Sequence, residues 1–402
     1  MNPVRRCLAG HERSGRRLIG IEVERFLIDK RPLRYEPDVR ALLETLVSQR
    51  GWGPSHEADG KLLAIKKEGH SISVEPGGQL EVSSVPQPSI SDLRTINNGI
   101  DEDIASVMAG RGAGFLNLGL NPWDAPDDVP ILPSPRYRLM DKHFGGLKGR
   151  GQDMMRLSLG LQINLDYSGE GFAVEMLRGG FYTAPALSAL FSNSPYFRGK
   201  KTSRLSERHF VWRETDPARC GIPAFIFDEG FGFESYGEFV CGTPLMYAFD
   251  AEGKVWDTGG RCLNDLDPKL QEVNAVPAMR QIFTEVRLKP CCVEARYFDQ
   301  VPDGLRYAAV GLLTGLLYDD ENRAWLNRKF AGATAGGLWS LMRTGAETGL
   351  ANDELYETAK AFLAAAERGL VRRRLGEENF LADAERLISI RKTPADALPF
   401  EL

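Results

Sequence analysis

Residues 17–29 (RLIGIEVERFLID) alternate apolar and charged side chains, and this alternation constrains the fold more than any other segment. Successive side chains of a strand point to opposite faces, so the apolar members share one face while Glu22 and Glu24 share the other. The pattern predicts a half-buried strand that carries two neighbouring carboxylates. Like charges this close repel, which a divalent cation would relieve. A strand face that is simply solvated is the alternative.

Further periodic segments predict a mixture of strands and helices. Residues 71–85 predict two short strands around a Pro-Gly-Gly turn, and residues 157–168 predict another alternating strand. Helical periodicity occurs in these ranges: 38–50, 89–111, 171–195, 303–318 and the segment from 352 onward. The stretch from 196 to 223 has the composition of a loop. Strands followed by helices favour an α+β fold, without a linker that divides the chain.

Charge and composition narrow the classes of function. The net charge is −5 and the pI about 5.8, which disfavours a nucleic acid or a membrane surface as partner. No apolar run approaches the ~18 residues of a membrane span. Residues 1–16 carry arginines without an apolar core, so we expect a basic tail rather than a secretory signal. Six scattered cysteines without a CxxC motif predict a cytoplasmic location.

The segment EPGGQLE combines acidic and amide oxygens with a flexible turn. Glu75, Gln79 and Glu81 flank Gly77 and Gly78, whose lack of side chains permits close backbone approach. Oxygen donors of this kind suit Mg²⁺, and the glycines suit a nearby phosphate. An ordinary hairpin turn with exposed polar residues is the alternative interpretation.

Two other strand-like segments place polar groups among apolar ones. Gln162 and Asn164 alternate with aliphatic residues, where they could bind a ligand or close a sheet face. Glu294 and Arg296 share a strand face, as do the charged residues of 285–289. A carboxylate can hold a metal ion while a guanidinium neutralises charge on a transferred phosphoryl group. A structural ion pair is the competing explanation.

Arginines in the loop-like region complete the candidate site. Arg208 and Arg219 belong to the pattern RxxxWxxTDxxR, and such arginines can clamp a carboxylate with paired hydrogen bonds. Surface arginines are common, so either one could also be incidental. The chain lacks a P-loop, a GxGxxG fingerprint after a strand and a GxSxG motif. Acidic residues, a Gly-Gly turn and arginines together favour phosphoryl transfer to a carboxylate, with metals offsetting the charge of ATP.

An ordered series of segments resembles the plant and proteobacterial type of glutamate–cysteine ligase. The resemblance covers most of residues 17–398. It is carried by these segments: ISVEPGGQLEVSSVP (72–86), RYRLMDKHF (136–144), MMRLSLGLQINLDYS (154–168), ALFSNSPYFRGK (189–200), the arginine-containing pattern at 208–219, IPAFIFDEGFGFESY (222–236), FTEVRLKPCCVEARYFD (283–299) and the region from 369 onward.

This resemblance implies a fold and a set of site residues. The implied fold is glutamine-synthetase-like, a curved, mainly antiparallel sheet forming a cup with helices outside, in one catalytic domain over 17–402. The implied metal ligands are Glu22, Glu24, Glu75, Glu81, Gln162 and Glu294. Arg296 would meet the transferred phosphoryl group, and Arg208 and Arg219 would hold a substrate carboxylate or nucleotide phosphates. Nucleotide binding is assigned to Gly77, Gly78, Gln79, Asn164 and Lys289.

The resemblance also implies an activity, with Mg²⁺ as cofactor and ATP as co-substrate. ATP would phosphorylate the γ-carboxylate of glutamate, and the amine of cysteine would attack the acyl phosphate to give γ-glutamylcysteine, the first step towards glutathione or a related thiol. The alternative is a different amine, because residues 157–160 read LSLG where the family carries a more polar run. A non-catalytic binding protein is disfavoured by the intact acidic positions. Only small molecules are expected as partners, and the protein itself is expected to be a monomer or a homodimer.

Overall fold

An antiparallel sheet of eight strands forms the centre of the computed structural model, which describes residues 2–10 and 17–399, excluding the side chain of Arg111. The strands are β1 Ile19–Arg25, β2 Gly53–Ala58, β3 Lys61–Lys67, β4 His70–Val74, β5 Leu80–Ser83, β6 Gly160–Asp166, β7 Val286–Lys289 and β8 Cys292–Asp299. Their order is β7-β8-β6-β1-β5-β4-β3-β2, with every neighbouring pair antiparallel. The α+β fold with a large antiparallel sheet is therefore confirmed.

The register of β1 brings distant polar residues together. Glu22 lies opposite Gln162 on β6, and Glu24 lies opposite Glu81 on β5. Side chains directly opposite on one face of an antiparallel pair are close neighbours. Strand pairing thus places acidic and amide groups from separate parts of the chain on one polar face.

The other face of β1 and its neighbours is apolar. Ile21 and Val23 are buried, as are Ile163 and Leu165 on β6, and all belong to one large hydrophobic cluster. Helix Glu170–Leu190 packs on this side and contacts both β7 and β8. Burial of this face holds the sheet rigidly and leaves the polar face to form a cavity wall.

Helices surround the sheet, and none within the described ranges is long and apolar enough to cross a lipid bilayer. They are α1 Pro3–Ala9, α2 Arg40–Gln49, α3 Ile90–Met108, α4 Pro135–Gly146, α5 Gly151–Leu157, α6 Glu170–Leu190, α7 Glu207–Arg213, α8 Phe233–Gly242, α9 Pro268–Met279, α10 Asp303–Leu317, α11 Asp320–Lys329, α12 Ala335–Thr348, α13 Asp353–Arg373 and α14 Ala382–Ser389. Predicted helices therefore correspond to α2, α3, α6, α10 and α13.

Helix α7 contradicts the expected loop between 196 and 223. The hydroxyl of Ser206 caps it by accepting a hydrogen bond from the backbone of His209. The helix is short, and its buried residues include Glu207, Arg208 and His209. Charged residues are seldom buried, so a search for apolar periodicity does not recognise the buried face of this helix.

Short strand pairs lie outside the main sheet. One three-stranded sheet combines Leu27–Asp29, Arg31–Pro32 and Gly114–Phe115, and further pairs are Tyr196–Phe197 with Lys200–Lys201, Cys220–Gly221 with Phe283–Thr284, and Ala248–Phe249 with Val255–Trp256. The pair formed by Cys220–Gly221 and Phe283–Thr284 is parallel. It ties the segment after α7 to the start of β7 and so fixes that helix beside the sheet.

Helix α1 corrects the expectation of a basic tail. Its Val4 and Leu8 are completely buried, and the helix packs on α8 and α9. Asn2 caps it by accepting a hydrogen bond from the backbone of Arg5. Apolar residues four positions apart give even this arginine-rich segment a face that can be buried. Met1 and residues 11–16, the rest of the expected tail, lie outside the described residues.

Candidate active site

A cavity of about 390 Å³ lies against the polar face of the main sheet. Eight of the predicted positions line it, and all are acidic residues, amides or cations carried by the sheet and its turn: Glu22, Glu24, Glu75, Gln79, Glu81, Gln162, Lys289 and Arg296. The opposite wall comes from α4, α5 and α7 and from the segments before and after α9. The sheet therefore supplies a charged floor, and the helices supply the opposite wall.

Four glutamates concentrate negative charge on this floor. Burial raises the pKa of Glu75 and raises that of Glu81 well above its usual range, and repulsion by neighbouring glutamates adds to both shifts. Burial and the charge of Glu75 likewise raise the pKa of Glu24 to about 7. Carboxylates that are difficult to ionise in isolation indicate a site suited to cations.

Neighbouring donors orient these carboxylates. Glu24 accepts hydrogen bonds from the backbone nitrogen of Gly160 and the side-chain nitrogen of Gln162, both at 2.7 Å. Glu81 accepts from the hydroxyls of Ser73 and Ser83, both at 3.3 Å. Each carboxylate is thus held from the strand next to its own or from its own strand, which restricts its rotamers.

Glu294 occupies a different position from the other predicted metal ligands. It is completely buried and accepts hydrogen bonds from Arg287, from Lys289 at 3.0 Å and from Arg296 at 3.0 Å. Burial opposes its ionisation, but these three cations outweigh burial and hold the pKa of Glu294 well below its usual range. It does not line the cavity. The geometry favours Glu294 as an anchor for cations, and its role as a metal ligand stays a prediction.

Arg296 reaches the cavity from β8. The pairing of β8 with β6 shifts register between Ala295 and Phe298, and such irregularities redirect side chains. The guanidinium donates to Gln162 at 2.8 Å and lies 5.4 Å from the ring centroid of Trp212. Burial opposes its charge, but nearby carboxylates, foremost Glu294, raise the pKa of Arg296. A fixed cation at this place can contact an anion on the floor.

Arg208 and Arg219 do not line the cavity. Arg219 donates to Asp216 at 2.6 Å and to the carbonyls of Gln281 and Pro244. Arg208 donates to the carbonyl of Arg296 at 3.2 Å. Both arginines are buried and bonded to protein groups, which favours a structural role over the ligand contacts predicted for them.

The Gly-Gly turn is shaped by packing against α5. A side chain at Gly77 would clash with the backbone carbonyl of Arg156, and Gly78 has a φ of 93°. The side chain of Gln79 accepts from the nitrogen of Gly77 at 2.9 Å and donates to the carbonyl of Met155 at 3.2 Å. The glycines therefore have a structural explanation that requires no phosphate, while Gln79 still borders the cavity.

Lys289 links two carboxylates across the sheet. Its ammonium donates to Glu22 at 2.8 Å, to Glu294 at 3.0 Å and to the amide oxygen of Asn164 at 3.2 Å. The amide nitrogen of Asn164 donates to Glu22 at 3.2 Å. Lys289 lines the cavity, whereas Asn164 lies behind it. Asn164 and Lys289, two of the five residues predicted to bind nucleotide, thus fix Glu22, and of these two only the lysine lines the cavity.

Several lining residues were not assigned from the sequence. Arg136, Tyr137, Tyr247 and Arg280 face the cavity from outside the sheet. Arg136 and Tyr137 open the segment RYRLMDKHF, so membership of that segment was a usable signal. Tyr247 and Arg280 lie in stretches without a motif, and only tertiary folding brings them to the cavity.

The acidic floor does not form one compact cluster. Within residues 2–10 and 17–399, no group of three histidine, cysteine, aspartate or glutamate side chains is close enough to hold a metal ion together. The carboxylates nevertheless act on one another electrostatically, as the raised pKa values of Glu75 and Glu81 show. They share one cavity as separate donors.

Comparison with known proteins places nearly all of the chain in one family. The model described as glutamate–cysteine ligase family 2 (GCS2) matches residues 18–393. The chloroplastic glutamate–cysteine ligase of Arabidopsis thaliana is 32% identical over 395 residues, covering 94% of this chain and 75% of that protein. Chloroplastic glutamate–cysteine ligase B of Oryza sativa subsp. japonica is 31% identical over 395 residues, covering 94% and 79%.

A solved structure shares the fold. The glutamate–cysteine ligase of Francisella tularensis in complex with AMP matches with a TM-score of 0.50 and 15% identity, over 97% of this chain and 91% of that chain. The large antiparallel sheet with helices around it is the fold that the two chains share, and the family match defines this chain as a ligase. The chain belongs to glutamate–cysteine ligase family 2, as its sequence segments predicted.

The expectation of a cytoplasmic location is wrong. The similar ligases from rice, Arabidopsis and Medicago truncatula are chloroplastic proteins. Scattered cysteines without a disulfide pattern indicate only that a compartment is not oxidising. They do not distinguish one such compartment from another, so the cysteine argument could not support that location.

Proposed function

We propose that this protein joins the γ-carboxylate of L-glutamate to the amine of L-cysteine, using ATP and forming γ-glutamylcysteine for glutathione or related thiol biosynthesis. The observation that carries the proposal is a cavity in a GCS2-family chain whose floor combines four glutamates with Lys289 and Arg296. Acids that can hold cations and a fixed guanidinium are what transfer of a phosphoryl group to a carboxylate requires.

The chemistry of the floor fits Mg²⁺. Glu22, Glu24, Glu75 and Glu81 offer oxygen donors, which Mg²⁺ prefers, and their mutual repulsion favours a bound cation. Mg²⁺ commonly takes the rest of its coordination from substrate phosphates, so separate carboxylates can suffice. When bound, the ion would neutralise phosphate charge on ATP. We assign this role to the four cavity-lining glutamates, with Gln162 beside them.

The nucleotide and the amino acids fit different parts of the cavity. One part of the wall is mainly apolar and is formed by Leu63, Val74, Met140, Met154 and Met155. Such a surface suits a purine base. The region near β7 is rich in cations and aromatic rings, including Trp212 and Phe283, whose rings are 5.7 Å apart. This region suits the carboxylates of the amino-acid substrates.

The residues of the floor would then act on the bound substrates. Arg296 would offset the charge that develops on the phosphoryl group during transfer to glutamate. Gln162 and Glu294 hold that guanidinium in place. The aromatic wall would exclude water from the resulting acyl phosphate until the amine attacks its carbon and phosphate leaves.

An acceptor screen tests the proposal. Release of ADP and the mass of the product would be measured with glutamate, ATP, Mg²⁺ and each of a series of amines. Rapid turnover with cysteine is expected. Preference for another amine would support the alternative ligase, which residues 157–160 motivate because Ser158 lines the cavity. Absence of ADP release with every amine would refute both.

A further inference from the structure

The cations that line the cavity differ in how their charge is balanced. Lys289, Arg287 and Arg296 each form an ion pair with Glu294. Arg136 and Arg280 also line the cavity, but within the described ranges neither lies within ion-pair distance of a carboxylate. Glu75 acts on Arg136 only through space. Positive charge without a direct counterion therefore lies on the wall opposite the sheet.

Tyr247 joins these two arginines into one group. Its ring is almost completely buried, and its hydroxyl lies close enough to Arg136 and Arg280 for both charges to act on it. Tyr247, Arg136 and Arg280 all border the same cavity. A phenol and two guanidiniums on one cavity provide several hydrogen-bond donors but no negative charge.

Arg280 combines an anchored backbone with an exposed side chain. It directly follows α9, and its carbonyl accepts a hydrogen bond from Arg287 at 3.2 Å. Its side chain is exposed, whereas only 10% of the Arg296 side chain on the floor is exposed. The guanidinium can therefore meet a ligand that enters the cavity without disturbing the fold.

We propose that Arg280, supported by Tyr247 and Arg136, binds the carboxylate of the amine acceptor, so that the acceptor must be an amino acid rather than a simple amine. The inference rests on the proposed function. The glutamate γ-carboxylate must lie at Arg296 on the floor for phosphorylation. An amine that attacks from the side of the cavity opposite the floor would have its own carboxylate beside the arginine group.

The chemistry of the group matches a carboxylate. A guanidinium can donate two parallel hydrogen bonds to both carboxylate oxygens, and such charge-assisted bonds are stronger than neutral ones. Removal of one charged partner at a ligand contact commonly weakens binding about 10- to 100-fold. An amine without a carboxylate does not make this contact, so substitution of Arg280 should not weaken its binding. Comparing amines with and without a carboxylate therefore measures the contact between Arg280 and the carboxylate.

The test compares cysteine with cysteamine, which has the same amine and thiol but no carboxylate. Values of kcat/KM for both would be measured in the unsubstituted protein, in Arg280→Gln and in Arg138→Gln. Arg138 is a matched control because it is exposed and pairs with Asp59 away from the cavity. We expect Arg280→Gln to lower kcat/KM for cysteine about 10- to 100-fold, to leave cysteamine within about twofold, and Arg138→Gln to change neither.

Other outcomes separate this inference from the proposed function. Equal losses for both amines, or an increase confined to the KM for ATP, would show that Arg280 serves another ligand and would overturn the inference. So would an unchanged preference for cysteine in Arg280→Gln. Partial recovery of that preference in Arg280→Lys would support it, because the positive charge returns. Failure of the unsubstituted protein to use cysteine would instead refute the proposed function itself.

Discussion

The side-chain amide of Gln162 bridges Glu24 and Arg296 on the cavity floor. Its nitrogen donates to Glu24 at 2.7 Å, and its oxygen accepts from Arg296 at 2.8 Å. Because the two ends of an amide are chemically different, reversing it would lose both hydrogen bonds. The bridge therefore fixes a carboxylate and a guanidinium at a set separation, with opposite charges facing the same space.

Arg296→Lys should reduce turnover while the protein stays folded. Lysine keeps the positive charge but cannot contact Gln162 and Glu294 with one planar group. We expect kcat to fall about 100-fold, with a smaller change in the KM for glutamate, measured by initial rates of ADP release. A kcat within twofold of the unsubstituted value would contradict the role proposed for this guanidinium.

Glu75→Gln should separate activity from stability. Loss of one carboxylate weakens cation binding, so turnover at fixed Mg²⁺ should fall about 100-fold or more. The metal-free protein should melt at a higher temperature, because Glu75 raises the pKa values of Glu24 and Glu81 by repulsion. Thermal unfolding and ADP release provide the two readouts. Glu357→Gln, on the exposed surface of α13, is the control, and a fall in both quantities for Glu75→Gln would contradict the explanation.

Arg219→Ala should act on the fold rather than on catalysis. Its removal takes the guanidinium from buried Asp216, which keeps only His143 as a side-chain partner, and frees two backbone carbonyls. Loss of one member of a buried ion pair costs about 3–5 kcal/mol, so the midpoint of denaturant unfolding should fall sharply. Protein that remains folded should keep its KM values. A large increase in KM without loss of stability would instead favour the ligand contact predicted from the sequence.

Glu285 should make stability depend on pH. Burial raises its pKa to about 7, whereas in the unfolded chain the pKa is about 4.3. The folded protein therefore holds a proton that the unfolded chain releases between those values, so the free energy of unfolding falls as pH rises through that window. Ionisation of Glu285 in the unfolded chain should lower the free energy of unfolding by about 3 kcal/mol across this window.

Glu285→Gln cannot ionise and should remove this contribution. The variant and the unsubstituted protein should differ in stability by about 3 kcal/mol more at pH 8 than at pH 4, in favour of the variant. Denaturant unfolding at both pH values measures the difference. Parallel stability curves for the two proteins would show that Glu285 ionises normally.

Gly77→Ala tests whether the turn is shaped by packing. The added methyl group would clash with the carbonyl of Arg156, so we expect a loss of about 1–3 kcal/mol in the free energy of unfolding. The KM for ATP should stay within about twofold of its normal value. Gly99→Ala in α3 is the matched control, because it meets open space and should stabilise the helix slightly. A KM increase above tenfold would favour phosphate contact by the glycine.

Alternation of apolar and acidic residues was enough to predict much of the sheet and its charged floor. Glu22 and Glu24 occupy one face of β1, and Glu75 and Glu81 flank the predicted turn, as strand geometry requires. Where these side chains meet could not be read from periodicity. It depends on β1 pairing with β5 on one side and with β6 on the other.

The arginines show the limit of sequence reasoning. Arg219 and Arg296 carry the same guanidinium and both lie near acidic residues in sequence, yet one anchors a loop and the other borders the cavity. Arg280 and Tyr247 stand outside any periodic segment. Their place is fixed by the packing of α9, which local sequence does not specify. The expected cytoplasmic location was also wrong, because cysteine content reflects the redox conditions of a compartment and does not identify the compartment.

The strand order has a consequence for synthesis of the chain. Strand β6 lies between β1, which precedes it in the sequence, and β8, which follows it at Cys292–Asp299. During translation β6 emerges long before its second neighbour and exposes an unpaired edge, the kind of surface on which nascent chains associate. A chain released by a ribosome that stalls between β6 and β8 would lack β8 and the cavity residues that it carries. Such a fragment should depend on chaperones and bind no nucleotide.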